Sequence, residues 1–267
     1  MKKYLVIGNP IEHSLSPKLQ NYWIKYNKID AIYGKLQAYD SDLKELCNNI
    51  KKGELDGINV TVPFKKKIIP YLDILSGNAL RTQSVNTICM KGGKLIGYNT
   101  DIDGFEISIK KMNYDVSKKI VVILGAGGVV PSIIYALKKM NVSQIYISNR
   151  TKERAIVIKN LFEEIKILNW GMLPEFDIII NATSLGLNEK DKFGIDFSNC
   201  GNNKLFYDVI YNPFKTDFSD AGNKPGNIIE NGLNMFLFQA QKAFIIWHNI
   251  EPKIDKEVIK LLENKKL

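Results

Sequence analysis

Histidine, arginine and cysteine are nearly missing from this chain of 267 residues. It holds His13 and His248, then Arg81, Arg150 and Arg154, then Cys47, Cys89 and Cys200. Three widely separated cysteines make neither a disulfide framework nor a metal-ligand spacing, and two histidines do not complete a zinc set. The chemistry is therefore expected to use no protein-bound metal. Long apolar runs are absent too: none approaches the roughly 20 residues that cross a bilayer as a helix. The opening MKKYLVIGNPIEHS starts basic but turns polar after a short apolar run, so it reads as a strand and not as a signal peptide. A cytoplasmic protein with no membrane partner is expected.

What is abundant is lysine. The 37 basic residues, all but three of them lysine, outweigh 28 acidic ones and leave a net charge of +9. Such a surplus raises nucleic acid as a partner. Yet the basic residues occur as singles, pairs and one triplet interleaved with acids, and no aromatic-studded basic tract appears. Diffuse surface charge is the preferred reading, with no nucleic-acid partner. An apolar fraction of 45% is that of an ordinary globular protein, and the length allows one large domain or two modest ones.

The first hundred residues alternate strands and helical stretches: KYLVIG, SPKLQNYWIKYN, AIYGKLQAY, SDLKELCNNIKK and GINVTV. This is a parallel α/β pattern. SVNTICM and KLIGYNT, joined by KGG, read as an added hairpin. A second α/β unit opens near Ile120 with KIVVILGAGG, followed by strands at QIYISN, FDIIINAT, KLFYDVIY and GNIIE. The tail NGLNMFLFQAQKAFIIWHN has helical spacing, and KIDKEVIKLLENKK forms another helix. Composition does not choose which unit this helix pair packs on.

GAGGVVPS follows a strand and opens a helix, the context in which a glycine pattern points to a dinucleotide. Gly125 allows the tight turn and Gly127 lets the backbone approach a pyrophosphate. Ala126, Gly128 and Val129 complete the cradle, whose helix-start amides bind anionic oxygens. Val130 stands where the fingerprint has its third glycine. After the second strand an NAD site places an acidic residue for the ribose hydroxyls. QIYISNRTKER offers Asn149, Arg150, Thr151 and Arg154 instead. Arg150 can lay its planar fork on a 2′-phosphate, with Arg154 one helical turn along. NADP(H) is preferred over NAD(H).

In GNPIEHSLSPKLQN, Ser14 and Ser16 precede Pro17. Ser16 reads locally as a helix N-cap, although two hydroxyls beside a helix start also make a carboxylate-binding cup. GINVTVPFKKK ends a strand at Pro63 and puts Lys65 just beyond it, where strand ends face the ligand crevice of α/β folds. Lys66 and Lys67 are expected as solvated residues of a following helix. GYNTDIDG adds Asp101 at a similar junction, and SVNT adds Asn86.

GNPIEHSLSP, GINVTVPFK, SVNT, GYNTDIDG, GAGG, NRT, NATSLG, YDVIYNP and NGLNMFLFQA occur here in order. In this the chain resembles the shikimate dehydrogenase family over nearly its whole length. The resemblance implies an α/β fold with two domains: a substrate domain of residues 1–101 plus 233–267, and an inserted Rossmann NADP-binding domain of residues 102–232. It implies reversible NADPH-dependent reduction of 3-dehydroshikimate to shikimate, a step of chorismate and aromatic amino-acid biosynthesis, by a monomer or homodimer. It further implies that Ser14 and Ser16 hold the substrate carboxylate with help from Tyr211. Thr61, Asn86 and Gln239 then bind or flank ring hydroxyls, Lys65 and Asp101 form the catalytic pair, and Val209 and Gly232 sit beside the nicotinamide. A quinate/shikimate dehydrogenase using NAD is the alternative, which the arginines disfavour. Gln20, where many members have histidine, is expected to affect packing.

Overall fold

The structure is a computed structural model that describes residues 1–188 and 191–263. The chain forms two compact units, Met1–Gly104 with Leu237–Leu267, and Phe105–Phe236.

The first unit runs β1 (Lys2–Gly8), α1 (Ser16–Tyr26), β2 (Ala31–Gln37), α2 (Leu43–Lys51), β3 (Gly57–Val60), β4 (Ile74–Leu75), α3 (Gly77–Thr82), β5 (Thr87–Lys91), β6 (Lys94–Tyr98) and the start of α4 (Asp101–Lys111). Its sheet has the order β2-β1-β3-β5-β6-β4. β1 is parallel to β2 and β3, while β5 and β6 form the antiparallel hairpin. On α2, Leu43, Leu46, Cys47 and Ile50 recur at helical spacing and are buried with Ile7, Ile58, Val60 and Phe64. Each such leucine or isoleucine contributes about 1.5–3 kcal/mol through burial. β2 is an edge strand. There the Asn21 amide of α1 donates to the Tyr33 carbonyl at 2.7 Å and its oxygen accepts from the Tyr33 N–H at 3.0 Å.

The second unit continues with β7 (Ile120–Leu124), α5 (Val130–Lys139), β8 (Gln144–Ser148), α6 (Lys152–Leu161), β9 (Lys166–Leu168), β10 (Ile178–Asn181), β11 (Leu205–Asp208), α7 (Asp217–Ala221) and β12 (Ile228–Glu230). All its strands are parallel, in the order β12-β11-β10-β7-β8-β9. This is the doubly wound order, whose direction reverses between β7 and β10. Val121–Leu124 and Ile178–Asn181 are buried throughout, as central strands covered on both faces require.

α8 (Leu233–His248) and α9 (Lys256–Glu263) close the described chain. Residues 264–266 of the expected last helix lie outside the described residues. From Leu237 onward the tail belongs to the first unit. There Trp247 Nε1 donates to the Ile88 carbonyl at 3.2 Å and its ring meets Tyr4, while Trp23 Nε1 donates to the Lys253 carbonyl at 2.9 Å. Gly57 makes room for that indole, since a Cβ there would lie 2.5 Å from Trp247 Nε1.

Candidate active site and dinucleotide site

After β3 the chain turns at Pro63 and forms one helical turn, closed by the Ile68 N–H on the Phe64 carbonyl at 3.0 Å. The helix expected after Lys65 does not form. Turns lead only to a short 3-10 segment, Ile69–Tyr71, whose second residue is Pro70. The turn separates the three lysines. Phe64 anchors it in the core, Lys65 is 7% exposed, and Lys66 and Lys67 face solvent. Lys67 pairs with exposed Asp40, a surface contact worth at most about 1 kcal/mol.

Lys65 Nζ donates to Asp101 Oδ2 at 2.5 Å. Asp101 is the first residue of α4 and is 5% exposed. Its other oxygen accepts from Asn86 Nδ2 at 2.9 Å. Asn86 is held in turn by the Thr100 N–H, which donates to its Oδ1 at 2.9 Å, and the Val85 N–H meets the Lys65 carbonyl at 2.9 Å. Lys65, Asn86 and Asp101 thus form one buried cluster tied to the backbone through Thr100 and Val85. An ammonium so oriented, with donor capacity beyond its carboxylate, can deliver a proton to an oxygen placed against it.

Ser16 begins α1, so the N-cap position falls to Leu15 and no side chain caps the helix. The local N-cap reading of Ser16 is therefore corrected. Ser14 Oγ accepts from the Ser16 N–H at 3.3 Å, which brings the two serines together. Thr61 is half-buried beyond β3 and leans on Gly8, where a Cβ would lie 2.6 Å from Thr61 Cγ2. Gln239 is half-buried on α8, and the neighbouring Ala240 carbonyl accepts from Gln20 Nε2 at 3.1 Å. Gln20 is fully buried, in keeping with a packing role. Two concavities of this unit, of about 410 and 360 Å³, contain neither Lys65 nor Asp101; the smaller reaches Asn99 and Thr100. Size does not mark the chemistry here, since the Lys65–Asp101 pair lines neither of the two.

In the second unit Gly125 ends β7 with φ +111°, and a Cβ there would lie 2.6 Å from the Ala182 carbonyl oxygen beyond β10. Only glycine fits at this switch point. α5 then starts without a side-chain cap, behind the turn of Ala126, Gly127, Gly128 and Val129, and a helix start of this kind presents backbone amides suited to an anion. Pro131 in the first turn has no N–H to lose. Past β8, Asn149 Nδ2 donates to the Thr151 carbonyl at 2.7 Å and shapes the turn from which Arg150 and Arg154 extend into solvent. Asn149, Arg150 and Thr151, directly after β8, include no acidic side chain; the first one, Glu153, lies in the opening turn of α6. A backbone cradle followed by exposed guanidinium groups fits a dinucleotide with an extra phosphate. Val209 and Gly232 also come together: a Cβ on Gly232 would overlap the Val209 carbonyl. Tyr211, in this unit, stacks on Phe236 with ring centroids 4.4 Å apart.

Two residues of this unit were not singled out from the sequence, Asn181 and Asp208. Both end apolar strands and are buried, and Asn181 Nδ2 donates to Asp208 Oδ1 at 2.9 Å. A polar residue closing a fully apolar strand was the available signal. Among the described residues, no group of three or more His, Cys, Asp or Glu could hold a metal ion, and no helix is long and apolar enough to cross a membrane.

A doubly wound dinucleotide unit joined to an α/β unit with a buried lysine–carboxylate pair defines the class, a nicotinamide-dependent oxidoreductase. Residues 6–88 match the shikimate dehydrogenase substrate binding domain and residues 106–188 the shikimate / quinate 5-dehydrogenase domain. The shikimate dehydrogenase (NADP(+)) of Pelagibacter ubique is 54% identical over 98% of this chain and 99% of its own. The shikimate dehydrogenase structure of Aquifex aeolicus superposes with a TM-score of 0.89 at 34% identity, covering 99% of this chain and 98% of that one. The Thermus thermophilus enzyme in complex with NADP(H) and shikimate gives 0.85 at 26%, covering 95% of each. The chain belongs to the shikimate dehydrogenase family.

Proposed function

We propose that this chain is an NADP-dependent shikimate dehydrogenase, reducing 3-dehydroshikimate reversibly to shikimate on the route to chorismate and the aromatic amino acids. The observation that carries the reading is the burial of Lys65 against Asp101 beside two exposed lysines. NADPH, when bound, supplies a hydride to the ketone carbon. As the ketone oxygen gains negative charge, Lys65 stabilises it and transfers a proton to it. Asp101 keeps the ammonium aimed, and Asn86 keeps Asp101 in place. Ser14 and Ser16 are assigned to the substrate carboxylate together with Tyr211, and Thr61, Asn86 and Gln239 to ring hydroxyls.

The segment Gly125, Ala126, Gly127, Gly128 and Val129 is assigned to the pyrophosphate. Asn149, Arg150, Thr151 and Arg154 are assigned to the phosphorylated ribose, and Val209 and Gly232 to the nicotinamide. Residues 1–101 with 233–267 serve as the substrate domain and residues 102–232 as the NADP domain. A cytoplasmic monomer or homodimer completes the reading.

Initial rates measured spectrophotometrically with shikimate or quinate, each crossed with NADP+ or NAD+, test it. Shikimate with NADP+ is expected to be fastest. Faster oxidation of quinate with NAD+ would establish the alternative, and no reaction with shikimate would sink the proposal.

A further inference from the structure

The Asn181–Asp208 pair lies outside every role assigned above, yet each of its four side-chain polar atoms is hydrogen-bonded. Asp208 is 1% exposed and Asn181 is fully buried. Asp208 Oδ1 accepts from Asn181 Nδ2 at 2.9 Å and from the Ile210 N–H at 3.0 Å, and its Oδ2 accepts from Thr216 Oγ1 at 2.6 Å. Asn181 reaches forward as well. Its Oδ1 accepts from the Thr183 N–H and hydroxyl at 3.1 and 2.7 Å, and its Nδ2 also donates to the Leu185 carbonyl at 3.1 Å. The backbones are tied at the same place, where the Val209 N–H meets the Asn181 carbonyl at 2.9 Å.

The residues immediately after this pair are the ones against which the two cofactor glycines press. Gly125 abuts the carbonyl of Ala182, and Gly232 abuts that of Val209. Each contact leaves no room for a side chain, so a small shift of either carbonyl moves the turn resting on it. We propose that Asp208 is a positioning residue for the dinucleotide site. With Asn181 it clamps the loop after β10 to the loop after β11, and so fixes the pyrophosphate turn relative to the Val209–Gly232 segment. The proposal rests on reading this unit as the NADP(H) site. An apolar pair would pack the same space without a buried charge, so plain stability does not explain a carboxylate here.

The ionised carboxylate, acceptor-only, serves all three donors at once and through charge-assisted bonds. Burial pushes the Asp208 carboxyl up to about 6, against the opposing hydrogen bonds from Thr216, the Ile210 amide and Asn181. Its titratable neighbour Tyr207 turns its hydroxyl to Ser108 on α4. Glu230 on β12 is held by Asn234, and around α7 Lys215 pairs with Asp220 and Asp217 with Lys192. Protonation of Asp208 at Oδ2 makes the Thr216 hydroxyl turn from donor to acceptor and takes the charge assistance from the other bonds, so dinucleotide affinity is expected to fall as the pH drops below about 6.

The test is calorimetric titration of the whole chain with NADP+ alone, from pH 5 to 8, on the wild type and on Asp208→Asn, Thr216→Val and Thr216→Ser. Melting temperatures and the KM values for NADP+ and shikimate are measured alongside. Asp208→Asn is expected to weaken NADP+ binding about tenfold at neutral pH and to abolish the acid-side loss, with the KM for shikimate little changed. Thr216→Ser should keep the affinity that Thr216→Val loses. An Asp208→Asn chain that melts lower yet binds NADP+ with the wild-type constant and pH dependence would overturn the proposal. So would equal affinities of Thr216→Val and Thr216→Ser, which decides the matter if Asp208→Asn does not fold. A wild type that binds NADP+ but does not oxidise shikimate would overturn the proposed reaction while leaving the clamp standing.

Discussion

Replacing Lys65 by methionine keeps the length of the side chain and deletes its charge. The side chains of Lys65 and Asp101 are 9% and 7% exposed, so Asp101 would be left a buried carboxylate with the Asn86 amide as its side-chain donor. Breaking a buried pair from one side costs about 3–5 kcal/mol. That loss is large against a total stability of about 5–15 kcal/mol.

Asp101→Asn added to Lys65→Met removes the stranded charge, so the double variant is expected to recover about 2–3 kcal/mol of that loss. Turnover behaves differently. Proton delivery contributes about 10²–10⁴-fold, and the double variant cannot regain it. Urea melts and initial rates on the two singles and the double therefore have to part company, with stability restored and rate not. A double variant no more stable than Lys65→Met would refute the electrostatic reasoning. Equal loss of turnover in Lys66→Met or Lys67→Met would refute the assignment of the proton donor.

Three further outcomes are expected. Arg150→Ala should raise the KM for NADP+ about tenfold, the loss of a charge-assisted contact, and leave that for NAD+ unchanged; equal effects on both would remove the 2′-phosphate assignment. Gly232→Ala forces a methyl into the Val209 carbonyl and should lower stability by about 1–3 kcal/mol, with weakened NADP+ binding, as melts and titration would reveal. His248 packs on Tyr4 and Phe244, and burial, with Lys2 adding to it, pushes its imidazole down to about 4. Between pH 6.5 and 4 the unfolded chain takes up that proton and the folded chain does not, so stability falls on acidification by up to about 3 kcal/mol. His248→Phe should flatten that slope in urea melts taken at pH 7 and pH 5.

The second unit was the more legible in sequence, because strands covered on both faces write themselves as unbroken apolar runs such as IVVIL and IIIN. β4, α3, β9 and α7 escaped notice, being two to six residues long and too short to show a period. The helix expected after Lys65 failed for a local reason, since Pro63 and Pro70 bracket a stretch with room for one turn. Ser16 fitted the composition of an N-cap, yet the helix begins on it and not after it. At the site, Lys65 could be told from its neighbours by its place after the strand. The Asn86 amide under Asp101 could not, because a contact across 15 positions is set by the hairpin that lies between them. Asn181 and Asp208 are 27 positions apart and meet through parallel pairing of β10 and β11, which no local pattern announces.

The asparagine that grips both backbone groups of Tyr33 acts as a surrogate strand one residue long. A neighbouring molecule seeking to extend the sheet past Ala31–Gln37 would find its template interrupted there, with the donor and acceptor it needs already taken. The outer rim of this unit is thereby interrupted at Tyr33 by a single amide, carried on the same helix that begins at Ser16.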